Sequence, residues 1–207
     1  HQPMVDAETG NSITFNGEIF NFRELRQSLQ ATGAHFQSQS DTEVILKLYA
    51  QRGIEGLGDL RGMFALAIWD AYEERLLIAR DQVGIKPLYY WHDATSGDLL
   101  FASEVRALLA SEQVPRKLDH DGLFSYLSYG SVQEPNTLVQ QVWSLLPGHV
   151  MTWQNGKIST RRYWHPLEDM EERPVDLPQI KALLSDAVER QLMADVPLGA
   201  FLSGGID

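Results

Sequence analysis

The chain has 207 residues, 28 acidic against 17 basic side chains, a formal net charge of −11 and 43% hydrophobic residues. This is ordinary globular composition, which excludes a disordered tail, a collagen-like repeat and a coiled coil, while the acidic balance argues against a nucleic-acid partner. No apolar run approaches the ~20 residues that span a bilayer, and the absence of cysteine excludes disulfides, thiolate zinc sites and iron–sulfur clusters and makes the cytoplasm the expected location.

In chain order, Ile13 to Phe15 reads as a short strand followed by Asn16-Gly17. Asn21 with Glu24, and Ser40 with Glu43, have the form of capping boxes that open two helices. Phe22, Leu25 and Leu29 give the first helix an apolar face, and Val44, Ile45, Leu48 and Tyr49 give one to the second, stopped near Gly53. Both are read as polar on their other side and therefore as surface helices. Met63 to Trp69 is apolar at every position, which suits a strand buried on both faces. Arg75 to Arg80 returns as its hairpin partner, and Leu88 to Trp91 pairs with Leu99 to Ala102. Residues 104–110 and 119–129 read as helices, and Asn155-Gly156 sets a hairpin between Val150–Trp153 and Ile158–Arg161. The acidic stretch from Pro166 to Pro174 suits a linker; Ile180, Leu183, Leu184, Ala187, Val188 and Leu192 then mark an amphipathic helix, and Val196 to Leu202 a strand. Antiparallel strand pairs between helices give an α+β class, and doubly buried strands call for stacked sheets with helices outside. Both ends read as cut, so the expectation is a segment of a longer protein.

Four groups of residues could carry chemistry. Asn16 and Gly17 offer a side-chain amide beside a backbone N–H, the minimum for an oxyanion hole, and fit a type I′ turn as well. Asp41 suits either a ligand's ammonium group or the helix dipole. Ser203-Gly204-Gly205, following an apparent strand, suits either a phosphate-binding loop or a plain turn, with Asp207 placed to hold Mg²⁺ in the first case. Arg80 to Pro87 reads as an ion-paired turn or as the wall of a ligand passage. The six histidines show no metal-ligand spacing.

The order of these pieces is more specific than any one of them. Phe15-Asn16-Gly17-Glu18-Ile19-Phe20-Asn21 resembles the FNGEIYN segment of class II glutamine amidotransferases, and Ser40-Asp41-Thr42-Glu43 resembles their SDTE segment. Gly62 to Asp70, Ala79 to Tyr90 and Phe101 to Glu104 follow in the family's order, and Asp195 to Asp207 resembles the pyrophosphate-loop entry of glutamine-dependent asparagine synthetases. The resemblance implies an N-terminal-nucleophile αββα sandwich whose first strands are missing, followed by the beginning of an α/β pyrophosphatase-type domain. The boundaries it suggests are a glutaminase domain over 1–165, a linker over 166–178 and the start of an ATP-binding synthetase domain over 179–207.

It further implies that a thiolate attacks the glutamine side-chain amide, with Asn16 and Gly17 holding the oxyanion and Glu18 and Asp41 binding glutamine, Asp41 at its α-ammonium. The ammonia released would amidate an aspartate β-carboxylate adenylated by ATP and Mg²⁺. Leu202, Ser203, Gly204 and Gly205 match the nucleotide contacts, and Asp207 matches a metal or pyrophosphate contact. The implied partners are glutamine, aspartate and ATP, with neither nucleic acid nor membrane, and the assembly admits a homodimer. The family's nucleophile is an N-terminal Cys, which this chain lacks, so the chain alone is expected to be inactive and its parent active. Alternatives are an amidotransferase acting on an envelope sugar acid or a peptide, a β-lactam-forming cousin, and a non-catalytic scaffold of the same fold.

Overall fold

Why β3 (Gly62–Asp70) is apolar at successive positions is answered by what lies on its two faces. Phe64, Leu66 and Ile68 point into a core shared with helices α1 (Phe22–Ala31) and α2 (Asp41–Arg52). Ala65 and Ala67 point the other way, into a core between two sheets. Side chains alternate along a strand, so burial on both sides demands apolar residues throughout. Each large aliphatic or aromatic side chain so buried contributes roughly 1.5–3 kcal/mol before entropy is counted. The computed structural model describes residues 1–167 and 176–192, with Pro197, Gly199 and Gly204 as single positions.

The larger sheet also contains β1 (Met4–Val5), β2 (Ser12–Ile19), β4 (Arg75–Arg80), β8 (His149–Gln154) and β9 (Lys157–Arg162). Its order is β1-β2-β3-β4-β8-β9, antiparallel at every step. The smaller sheet has the order β6-β5-β7, from β5 (Tyr89–His92), β6 (Leu99–Ala102) and β7 (Val142–Ser144). Tyr90, Leu99 and Phe101 face the larger sheet, and Trp91 and Val142 turn outward onto Leu108 of α3 (Val105–Ala110). Helix α4 (His120–Tyr129) follows, with the Asp119 carboxylate accepting the Gly122 N–H at 2.8 Å. The layers are thus helix, sheet, sheet, helix, as the doubly buried strands require.

At the end of the sandwich formed by the β8–β9 turn, the two sheets meet backbone to backbone. Trp153 Nε1 donates to the Gly97 carbonyl at 2.7 Å, and His92 Nε2 lies 3.0 Å from the Gly156 carbonyl. A Cβ on Gly97 would lie 2.7 Å from the Gly156 Cα, so Gly97 excludes a side chain, and one on Gly156 would lie a tight 3.2 Å from the Gly97 Cα. Asn155 and Gly156, at φ 51° and 77°, form the left-handed pair that a type I′ hairpin needs.

Three local expectations are corrected. Asn21 does not cap α1 with its side chain; Nδ2 donates to the Asp59 carbonyl and Oδ1 accepts the Arg61 N–H, both at 2.9 Å, tying the helix start to the approach to β3. Ser40 does cap α2, accepting the Thr42 N–H at 3.0 Å, but Glu43 accepts the Gln37 and Ser38 N–H groups at 2.7 Å instead of returning to Ser40. Nor is α2 a surface helix: residues 42–49 are all buried, because the N-terminal segment closes over its polar side. Lys47 is held there at 2.9 Å from Asp6 and 2.6 Å from Glu8.

These buried charges set a pH dependence. Burial is the largest influence on Asp6, Glu43 and Asp70 and raises their pKa. It is outweighed by hydrogen bonds from Lys47, Thr9 and the Glu8 N–H for Asp6, from Ser38 and Gln37 for Glu43, and from the Glu73 N–H and Tyr49 for Asp70, so all three carboxyls sit below their usual range. Stabilisation from such groups is complete above their unfolded pKa, near ~4, and is lost as pH falls through the lowered folded values. Lys47 runs the other way: burial lowers it, but Glu8 and Asp6 raise it further, so its contribution holds below its unfolded pKa and is lost as pH rises through the folded one. Urea midpoints are therefore expected to fall steeply between about pH 4 and pH 2, and unfolding curves collected across that range check the sign.

The chain divides into two compact units, His1–Glu168 and Asp169–Asp207. In the second, α5 (Leu177–Gln191) begins with Pro178 in its first turn and leaves Ile180, Leu183, Leu184 and Val188 exposed. The strand expected over 196–202 lies outside the described residues apart from Pro197 and Gly199. No described helix is long and apolar enough to cross a membrane.

Candidate functional site

Asn16 and Gly17 do not form a turn; β2 runs straight through them to Ile19. Their register explains why. Asn16 lies opposite Ala65 and Gly17 opposite Phe64, and a Cβ on Gly17 would lie 2.7 Å from the Phe64 Cα and far inside contact distance of the Met63 carbonyl oxygen. Gly62 makes the reciprocal approach, with the Ile19 Cα 2.9 Å from a Cβ built there. The Asn-Gly pair that marks a hairpin elsewhere here lets two strands close on each other.

That register also frees a donor. Phe64 turns its backbone away from β2: its N–H reaches the Asp81 carboxylate at 3.2 Å and its carbonyl accepts the Asp81 N–H at 2.8 Å. Gly17 and Phe64 are thus a non-hydrogen-bonded pair, and the Gly17 N–H points to the outer edge of β2 with those of Phe15 and Ile19. Strand β1 pairs only with Ser12 and Ile13 and does not reach them. Two side chains fill the gap instead. The Gln2 carboxamide accepts the Phe15 N–H at 2.7 Å and donates to the Phe15 carbonyl at 2.8 Å. Asp41, first residue of α2, accepts the Ile19 N–H at 3.1 Å through Oδ2. The Gly17 N–H lies on the open edge between these two anchors.

Asn16 projects from the opposite face of β2 to Phe15, and its side chain is exposed. Its Nδ2 donates to Ser103 Oγ at 3.3 Å, reaching across from the end of β6. A cleft of about 180 Å³ opens here, lined by Gln2, Asn16, Ala65, Ala67, Phe101 and Ser103. Glu18 is half-buried and shares its strand face with Asn16. The structure therefore brings Asn16, Gly17, Glu18 and Asp41 to one stretch of β2. Larger hollows of about 320 Å³ beside Lys47 and about 500 Å³ beside Tyr49 are lined by groups already paired with one another. In the second, the Tyr49 hydroxyl donates to Asp70 at 2.7 Å and accepts from Arg75 at 3.1 Å; burial first, then Asp70, push its pKa up to about 12.

The charged loop after β4 is a bonded turn tied both to itself and to neighbouring segments. Arg80 is buried, paired with Glu134 at 2.7 Å and donating to the Lys86, Gly84 and Leu145 carbonyls. Asp81, fully buried, accepts the N–H groups of Phe64, Val83, Ile85 and Lys86. Sequence reasoning assigned no role to Gln2 or Ser103, and placed Asp81 only within the Arg80 to Pro87 loop. Nothing periodic marks Gln2, whose partner lies 13 residues on, or Ser103, whose partner lies 87 residues back. Of the expected nucleotide contacts, Leu202, Ser203 and Gly205 lie outside the described residues, as does Asp207, and Gly204 is a single described position. Among the described residues there is no group of three or more His, Asp or Glu that could hold a metal ion.

Comparison with known proteins gives this geometry its context. The chain is 35% identical to an asparagine synthetase [glutamine-hydrolyzing] 3 of Bacillus subtilis and 38% identical to the corresponding protein 1 of that organism, each match covering 100% of this chain and 34% and 33% of the relative. It is 36% identical to asparagine synthetase B [glutamine-hydrolyzing] of Escherichia coli, covering 100% of this chain and 32% of that protein. The chain thus spans about a third of the length of these relatives. Its fold is similar to that of the glutamine phosphoribosylpyrophosphate amidotransferase of B. subtilis, an N-terminal-nucleophile amidotransferase, with a TM-score of 0.53 and 22% identity over 79% of this chain and 32% of that one. The asparagine synthase family matches residues 179–207. The glutamine amidotransferase domain matches residues 1–164, and the chain belongs to that family.

Proposed function

We propose that this chain is the glutamine-hydrolysing part of an asparagine synthetase, with its glutaminase domain over 1–165, a linker over 166–178 and the start of the synthetase domain over 179–207. The observation that carries the reading is the pair of donors at the β2 edge, the Asn16 amide and the Gly17 N–H, set between a carboxylate and a cleft lined by both polar and apolar side chains.

The chemistry follows from where charge develops. A thiolate from a residue outside this chain adds to the side-chain carbonyl carbon of glutamine. The carbonyl electron pair moves to oxygen, and Asn16 Nδ2 and the Gly17 N–H donate to that oxyanion. Fixed donors aimed at developing charge lower the barrier because they need no reorientation as the charge appears. Collapse re-forms the carbonyl, breaks the carbon–nitrogen bond and expels the nitrogen as ammonia, which carries away the proton that the thiol gave up on forming the thiolate. Water then cleaves the thioester to glutamate. Asp41 holds the Ile19 N–H through Oδ2, while Oδ1, reached only by the long bonds of the Ser40 and Thr42 hydroxyls at 3.5 and 3.4 Å, would meet the substrate α-ammonium, and Glu18 binds from the same strand face as Asn16.

The ammonia passes to an aspartate β-carboxylate activated by ATP in the synthetase domain, and a cytoplasmic setting belongs to the same proposal. Leu202, Ser203, Gly204 and Gly205 would take the nucleotide and Asp207 Mg²⁺; the structure describes only Gly204 of these, so no step is derived through them. In the complete protein, Asn16→Ala is expected to lower kcat for glutamine hydrolysis by about 100- to 1,000-fold, while ammonia-driven synthesis persists. Steady-state assays with each nitrogen source check it, and glutaminase activity close to wild type would refute the assignment.

A further inference from the structure

Where a sheet edge must stay open for catalysis, something must still hold the strand. An unpaired stretch at such an edge has its backbone N–H and C=O groups unsatisfied and is free to shift. Strand β1 ends after pairing with Ser12 and Ile13, three residues short of Asn16. The Gln2 carboxamide continues the ladder for one further residue. It offers one donor and one acceptor, the complement a strand residue would supply, and both reach Phe15, at 2.8 and 2.7 Å. It stops there, and the next N–H pointing out from that edge is that of Gly17. A true strand residue two positions further along would cover that N–H; a side-chain amide does not.

Asn16 is held from the other side. Its Nδ2 carries two hydrogens, and Ser103 Oγ takes one at 3.3 Å. The second remains for an oxyanion. Ser103 directly follows β6 of the smaller sheet, so this bond also ties the amide to the opposite wall of the cleft.

We propose that Gln2 and Ser103 are the positioning residues of the oxyanion donors, Gln2 holding the β2 backbone at Phe15 and Ser103 holding the Asn16 amide. This rests on the proposed glutaminase reading. Neither residue touches the reacting atoms, and their effect is on the placement of groups that do, where small displacements are costly in rate.

Two measurements test the assignment. By hydrogen exchange on the 207-residue chain, Gln2→Ala is expected to speed exchange of the Phe15 N–H by about tenfold or more, while the Ile19 N–H, bonded to Asp41, keeps its rate. In the complete protein, Gln2→Ala and Ser103→Ala are each expected to lower kcat for glutamine hydrolysis by about 10- to 100-fold with KM little changed, and Ser103→Thr, which keeps the hydroxyl, to restore it. A merely structural role would lower active fraction and thermal midpoint together and would not be rescued by threonine. Unchanged Phe15 exchange, or unaffected kcat in a protein whose wild type is active, overturns the assignment alone. A wild type without glutaminase activity refutes the proposed function and the catalytic sense of the assignment with it, while the exchange result still decides whether Gln2 holds Phe15.

Discussion

Gly17→Ala is expected to destabilise the chain by about 4 kcal/mol or more, beyond the roughly 1–3 kcal/mol that overpacking usually costs, because the clash is with backbone. The new methyl group would lie 2.7 Å from the Phe64 Cα and closer still to the Met63 carbonyl oxygen. Both are backbone atoms of a central strand with neighbours on both sides, so no side-chain rotation relieves the clash. Relief would require β2 and β3 to separate at this register, which pulls apart the strands carrying Phe15, Phe64 and Leu66 in the main core. A control at Gly33, where an added Cβ meets nothing within 4 Å, separates the clash from the general cost of replacing glycine; Gly33 adopts φ 95°, so that control carries its own backbone strain but no collision. Urea unfolding of both variants checks the difference, and comparable stability would show that the close approach is not tight.

Asp81→Ala is expected to cost about 4 kcal/mol, for a different reason. The side chain is fully buried, and its two oxygens accept four backbone N–H groups at 2.9 to 3.2 Å. Each donor left without a partner loses about 1–3 kcal/mol, and entry of water recovers part of the total. The damage would spread in two directions. The Phe64 N–H opposite Gly17 loses its acceptor, and the Arg80 turn loses the carboxylate that gathers residues 83–86. Tyr163, whose hydroxyl donates to the Arg80 carbonyl at 2.8 Å, sits over the same knot; burial first, and the Asp81 charge second, hold its pKa far above the usual phenol range. Asp81→Asn retains acceptor capacity on one atom only, so an intermediate loss is expected. Denaturation of the two variants side by side orders them.

Most of the layered architecture is legible in the sequence because it is written in short-range patterns. Met63 to Trp69 announces burial on two faces by being apolar at each position, and the structure gives Phe64 and Ala65 to different cores. Asn155-Gly156 announces its turn because a two-residue type I′ loop constrains only those two residues. The same dipeptide at Asn16-Gly17 has the opposite meaning, since what decides it is the backbone of a strand nearly fifty residues away. Capping fails for a related reason. Asn21 has a better offer from Asp59 and Arg61 than from its own helix, and no local window contains that competitor. Lys47 likewise reads as a solvent-facing lysine until Asp6 and Glu8 arrive from the N-terminal segment. At the site, Asn16, Gly17, Glu18 and Asp41 are readable through the order of their motifs, whereas Gln2 and Ser103 are not, because their roles exist only in the folded contacts.

The contact of Gly97 with Gly156, reinforced by Trp153 and His92, fixes the spacing of the two sheets at the end remote from Asn16. At the Asn16 end the spacing rests on side chains such as Ala65, Ala67 and Phe101. Size changes among those residues can re-dimension the mouth while the far end keeps the layers in register. The scaffold is therefore built like forceps joined at one tip, and descendants that accept differently shaped ligands can diverge at the free tip without re-inventing the joint.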